Sequence, residues 1–296
     1  IFAAMFGALI ALVTSYGLGL GWWQIEGADK SLANRIYHGF IMGAFFYALL
    51  LWAQSSRGFK GGLLYLFALL VAINVLVIEN GRSGYLAILA LFLVFLFVAK
   101  RGWSLLGWLA ASLLLCLLSI SFVEPIGSRV DMTITNVISS LETGDHGHSS
   151  SGYRLEFYKA ALVIAEENAI FGVGVGDVSA ALLKEWTAGE LSFRTNNVHS
   201  EFFNMILASG AVGFVLFIFF IGSIFLIGLR HLETTQILGA AMIGAAVLIA
   251  VYGLFNSIIK DFGEKHALMI MLSIMGAALR PHLIKPARVF DSEEGR

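Results

Sequence analysis

The chain has 296 residues, 58% of them hydrophobic and 13% charged, with a net charge of −1 and a mean hydropathy of +0.83. A soluble domain is about a quarter charged, so the composition excludes an ordinary soluble protein and indicates a polytopic membrane protein. The near-neutral charge gives nucleic acid no electrostatic footprint, and the single cysteine, Cys116, excludes a disulfide framework or a cysteine zinc site.

A spanning helix needs roughly 20 mostly apolar residues. In chain order, eight segments qualify or nearly so: 2–20, 37–54, 62–78, 84–99, 104–122, 203–229, 236–258 and 266–280. The chain opens at Ile1 inside an apolar run, which predicts further N-terminal spans in the natural protein. Arg57 and Lys60, Lys100 and Arg101, Arg230, and then Arg280, Lys285, Arg288 and Arg296 fall in alternate loops on one side. The positive-inside rule makes that side cytoplasmic. The expected division is 1–122 N-terminal transmembrane helices, 123–202 a periplasmic loop, 203–280 C-terminal transmembrane helices and 281–296 a cytoplasmic tail. The fold class is therefore all-α: a multi-span bundle with a large extracytoplasmic loop containing an amphipathic helix.

The spans hold almost no Asp, Glu, Lys or Arg. Ion-coupled transporters place ionisable groups at mid-membrane, so the pattern opposes a pump or symporter and favours chemistry at the outer interface. The expected active site lies on the outer face of the membrane, the periplasmic face if the cell is Gram-negative.

Candidate chemistry sits in three places on that face. In "ENGRSGY" a short turn holds Arg82 between Gly81 and Gly84. Its guanidinium suits phosphate, and it also suits an interfacial anchor. In "SSSGYRLEFYKAALVIAEEN" Ser151 reads as an N-cap of a helix to about Asn168. Leu155, Tyr158, Leu162 and Ala165 would form its apolar stripe. Arg154 would lie in the first turn, where an anion meets backbone N–H groups, the helix dipole and a cation together; a merely solvated arginine is the other reading. The following "FGVGVGD", with Gly172, Gly174 and Gly176, fails the dinucleotide spacing and reads as a closely approached turn, a substrate loop or a plain connector.

The third place is "NNVHSEFFNMILASGAVG". Asn197 reads as an N-cap that puts His199 in the first turn of the sixth span, where the helix dipole favours neutral imidazole, the form a general base needs. Asn196 would share a face with His199. Gly210 and Gly213 read as close-packing positions. Asp145, His146 and His148 in the loop tip "SSLETGDHGHSSSG" are too closely spaced for a preorganised metal site. No D-x-D pair and no Walker A pattern occurs, so no metal and no cofactor is expected.

The order of these features resembles the O-antigen ligase superfamily, which also holds O-antigen polymerases and bacterial O-linked oligosaccharyltransferases. The ligase pattern H-[NSQ]-x9-G-x-x-[GTY] is met by His199, Ser200, the nine residues Glu201 to Ser209, Gly210 and Gly213. The resemblance covers roughly residues 70–230. It implies a fold similar to glycosyltransferases with polyprenyl-linked donors. It implies transfer of polysaccharide from undecaprenyl pyrophosphate to a lipid A–core acceptor at the membrane, without metal or ATP. Arg82 and Arg154 carry over as pyrophosphate contacts and His199 as catalytic base or acceptor-positioning residue. Asn196, Asn197, Gly174 and Gly176 join them as candidate substrate contacts. Two departures stand: Ser200 where many relatives have Asn, and eight spans where many have about twelve.

Overall fold

The computed structural model describes residues 2–21, 34–79, 81–99, 123–143 and 150–283, with isolated positions between 106 and 121. Every regular element among the described residues is helical. They are α1 (Phe2–Gly19), α2 (Arg35–Ser55), α3 (Gly58–Ile73) with a π-helical end (Asn74–Glu79), α4 (Arg82–Ala99), α5 (Glu124–Thr143), α6 (Ser150–Glu167), α7 (Val178–Thr187), α8 (Glu201–His231), α9 (Gln236–Phe255) and α10 (Phe262–Leu283). Among the described residues six helices are long and apolar enough to cross a membrane: Arg35–Ser55, Gly58–Glu79, Arg82–Ala99, Glu201–His231, Gln236–Phe255 and Phe262–Leu279. They correspond to six of the expected spans. The first expected span, 2–20, coincides with helix α1, Phe2–Gly19. The fifth, with Cys116, lies outside the described residues apart from isolated positions, and so do Asp145, His146 and His148.

Helices α2 and α9 form the centre of the bundle, with α3, α4 and α8 packed around them. Small residues let them approach. A Cβ on Gly39 of α2 would lie 2.4 Å from the Tyr252 hydroxyl of α9 and 3.6 Å from the Gly84 backbone of α4. Phe40 meets Tyr252 edge-on at 5.2 Å. Asn34 starts α2 by accepting the Tyr37 amide at 2.7 Å.

A buried polar chain ties α1 and α2 to the π-helical end. The Asn74 carboxamide meets His38 Nε2 at 2.8 Å and donates to Ser15 Oγ at 2.9 Å, and Ser15 donates to Glu79 Oε1 at 2.7 Å. Glu79, expected just beyond the third span, is the buried last residue of the spanning helix. Polar glue of this kind joins helices that apolar contact alone joins weakly in lipid. Asn74→Leu is expected to destabilise the protein by about 1–3 kcal/mol, two lost bonds at the usual worth of each. Unfolding in mixed micelles measures this, and a change below about 0.5 kcal/mol would show that the chain contributes nothing.

Helix α8 differs most from expectation. Its 31 residues would reach about 46 Å if straight, against a hydrocarbon core of about 30 Å. It is not straight, because Gly210 has φ 61° and ψ −156°. The Phe202 ring meets Phe214 at 6.3 Å and Phe217 at 5.3 Å. Residues so far apart in sequence cannot touch along one straight helix. The expected span 203–229 is therefore two limbs: a short one, 201–209, folded back beside the bundle, and a longer one, 211–231, which is about 31 Å long.

Candidate active site

The break in α8 frees backbone groups that must find partners away from water. The loop after α6 supplies them. Val173 and Gly174 donate to the carbonyls of Leu207 and Ala208 at 2.8 and 3.0 Å, while Ala211 and Val212 donate to those of Ala169 and Ile170 at 2.8 and 3.3 Å. The seam closes because both strands are bare where they cross. A Cβ on Gly172 would lie 2.5 Å from Ser209 N, and one on Gly210 would lie 2.4 Å from the Ile170 carbonyl. Gly210 is thus a backbone hinge as well as a close-packing position. Gly174 belongs to this seam, its N–H spent on Ala208. Gly176 stands in open space before Asp177, the N-cap of α7.

The seam fixes α6 against α8, and α6 carries Arg154. The buried face of α6 is Gly152, Glu156, Phe157, Ala160, Ala161, Ile164 and Ala165. That is displaced from the expected stripe, since Leu162 is 50% exposed. Glu156 anchors the returning chain by accepting the amide and hydroxyl of Ser192 at 2.6 and 2.7 Å. Ser151 lies inside the first turn of α6 and is not its cap; its hydroxyl accepts a close hydrogen bond from Arg82 Nη1.

Three guanidiniums converge here. Arg82, the first residue of α4, feels the charges of both Arg129 and Arg154. Arg129 comes from α5, a helix the sequence reading did not anticipate. Burial pulls the Arg154 pKa below its ordinary value, and the Tyr158 phenol opposes that shift. Like charges held together, with Arg82 at a helix N-terminus, have the chemistry to attract an anion.

His199 lies beside this cluster, but not in a helix. The N-cap of α8 is Ser200, and His199 precedes it with φ 55°, the one positive φ outside glycine among the described residues. Asn196 and His199 therefore share no helical face. The His199 N–H donates to Asn197 Oδ1 at 3.0 Å, and its carbonyl accepts from Tyr158 Oη at 3.4 Å. Its ring centroid lies 6.1 Å from that of Phe157. Burial, then Arg154, then Lys260 lower its pKa below the usual 6.5, so the imidazole is neutral at neutral pH.

Lys260 belongs to the turn between α9 and α10, a part of the site that sequence reasoning missed. Lys260 Nζ makes a close hydrogen bond to the Asn196 carbonyl, and Glu201 N donates to the Asn256 carbonyl at 3.0 Å. Ile259 N donates to Glu201 Oε2 at 2.8 Å. Burial lowers the Lys260 pKa against the pull of Asp261 and Glu201, and burial raises that of Asp261 against Lys260. The charged pair in "NSIIKDFGEKH", between two spans on the side of His199, was the signal available for this turn.

Arg82, Arg154 and His199 are thus brought together, with Arg129 and Lys260 added. Asn196 is exposed beside them, and Asn197 is buried beneath His199. No curated protein matches the chain closely enough to count as a relative. The family model described as O-antigen ligase matches residues 66–218, about half of the chain. That match takes in all three arginines, both limbs of the seam and His199, so the chain belongs to the O-antigen ligase family.

Proposed function

We propose that this protein is an inverting, metal-independent glycosyltransferase of the periplasmic face of the bacterial inner membrane. It moves a glycan from undecaprenyl pyrophosphate to a hydroxyl of the lipid A–core oligosaccharide. The observation that carries this reading is Arg154 standing between the site of the two other arginines and a neutral His199: Arg82 feels the charges of Arg129 and Arg154, and Arg154 in turn acts on His199. In the proposed step the acceptor oxygen attacks the anomeric carbon as the bond from that carbon to the pyrophosphate oxygen breaks. The electron pair leaves with undecaprenyl pyrophosphate, whose added charge the arginines neutralise. The acceptor proton passes to the His199 imidazole. Asn196, exposed next to His199, and Gly176, with open space around it, are the candidate contacts for sugar.

The test is the full-length protein in a ligase-deficient Gram-negative strain. The expected result is polymer-bearing lipopolysaccharide with the wild-type protein and bare core with His199→Ala. A His199→Ala variant that restores full ladders would remove the histidine from the mechanism. Replacement of single-repeat core by long ladders in a polymerase-deficient strain, or a mass shift on pilin, would move the acceptor to a growing glycan or to protein.

A further inference from the structure

We infer that Asn197 is a positioning residue that holds the His199 imidazole in its working direction, an inference that rests on the role proposed for His199. A residue before a helix N-cap ordinarily takes an extended conformation. His199 is instead left-handed, at φ 55°, which a side chain with a Cβ adopts only when its surroundings fix it. Asn197 is what fixes it. Its Oδ1 accepts the His199 N–H at 3.0 Å, the Ser257 hydroxyl at 2.5 Å and the Asn204 carboxamide at 3.3 Å. Its Nδ2 donates to Asp261 at 3.4 Å. Thr195 Oγ1 both donates to the Asn197 carbonyl at 2.7 Å and accepts its N–H at 3.1 Å. The residue is 6% exposed and all its polar atoms are engaged by protein.

Three pieces of chain therefore meet in one carboxamide: the short limb of α8 through Asn204, the α9–α10 turn through Ser257 and Asp261, and the His199 backbone. Asn204 reinforces the junction by donating to Ser257 Oγ at 2.6 Å. Tyr158 Oη, within reach of the Leu254 carbonyl at 3.2 Å and the His199 carbonyl at 3.4 Å, shares its one proton between the two, while the His199 N–H is held by Asn197. The chemistry of the site explains why this residue is Asn. It must accept three donors and donate one, and an aspartate there would set a second carboxylate against Asp261.

The experiment uses the full-length protein in lipid nanodiscs with Asn197→Ala, Asn197→Asp and Ser257→Ala. The first readout is the rate at which diethyl pyrocarbonate modifies His199, followed by peptide mass spectrometry against His266 as internal reference. In Asn197→Ala the His199 rate is expected to change several-fold while His266 is unchanged, with a smaller change in Ser257→Ala. The second readout is transfer: Asn197→Ala is expected to lower kcat by about 10–100-fold with little change in KM, the cost of a small misplacement. Asn197→Asp, which keeps the acceptor but loses the donor and faces Asp261, is expected to recover only part of that loss. If His199 reacts at the wild-type rate in both Asn197→Ala and Ser257→Ala, Asn197 does not position it, whatever the transfer assay gives. If Asn197→Ala does not fold, Ser257→Ala decides. If the wild-type protein transfers no glycan, the proposed function falls, while the labelling rates still decide the inference.

Discussion

Replacing Arg154 with methionine is expected to lower glycan transfer by about 10²–10³-fold, the usual cost of losing a preorganised charge aimed at a developing anion. Arg154 is the fifth residue of α6, where burial disfavours its charge, and that charge and the charge of Arg82 repel each other. Neither circumstance benefits the folded protein. The methionine variant should therefore melt at or slightly above the wild-type temperature while losing activity. A residue placed for structure would do the opposite. Arg154→Lys should recover only part of the rate, because a point charge does not reproduce the planar fork. The pH profile supplies a second readout. In the proposed mechanism His199 acts as a base when neutral, and burial, Arg154 and Lys260 lower its pKa below the ordinary value. Removing Arg154 lets that pKa rise toward its ordinary value. The acid limb of the rate profile should then move to higher pH. Full activity in the methionine variant, or a limb that does not move, would detach Arg154 from the site.

Gly210→Ala is expected to abolish folded protein. A φ of 61° with ψ −156° is a region essentially reserved for glycine, worth about 1–3 kcal/mol of strain for any other residue. The added Cβ would also lie 2.4 Å from the Ile170 carbonyl carbon and oxygen, which are backbone and cannot swing aside. The sum is a large share of the roughly 5–15 kcal/mol that holds a domain together. Gly222→Ala is the control, since its Cβ would meet nothing within 4 Å. Fluorescence-detected size exclusion of the two variants in detergent compares them. A monodisperse Gly210→Ala peak of wild-type height would show that the seam is not required.

The spans were legible because an apolar run of that length has few alternatives, and α2, α3, α4 and α9 fall close to where composition places them. The helix carrying Arg154 was also legible, but its buried face was not. Leu162 and Val163 are 50% and 54% exposed, whereas Phe157 and Ile164 are buried. Apolar residues stand on more than one side of α6, and periodicity alone does not say which side meets the bundle. Helix α5 escaped notice because Ser, Thr and Asn dilute the i, i+4 repeat of Ile126, Val130 and Ile134, and Arg129 was missed with it. The hinge was hidden for another reason: a glycine in an apolar run looks the same whether the helix passes through it or breaks. Asn197 was assigned to capping, a task its side chain could do, and the structure uses it for a tighter turn instead. The α9–α10 turn needed three-dimensional pairing before Lys260 and Asp261 could be associated with His199.

The short limb of α8 has a left-handed residue just before it and another at its end, His199 and Gly210. The nine residues that separate His-Ser from Gly in the ligase pattern are therefore a dimension as well as a signature. They are the length of a strut between two joints, one welded to the α9–α10 turn and the other to the loop after α6. One residue more would rotate one joint about 100° against the other and lift it about 1.5 Å. Neither joint could then be made without undoing its partner. The gap sets how far His199 stands from the hinge at Gly210.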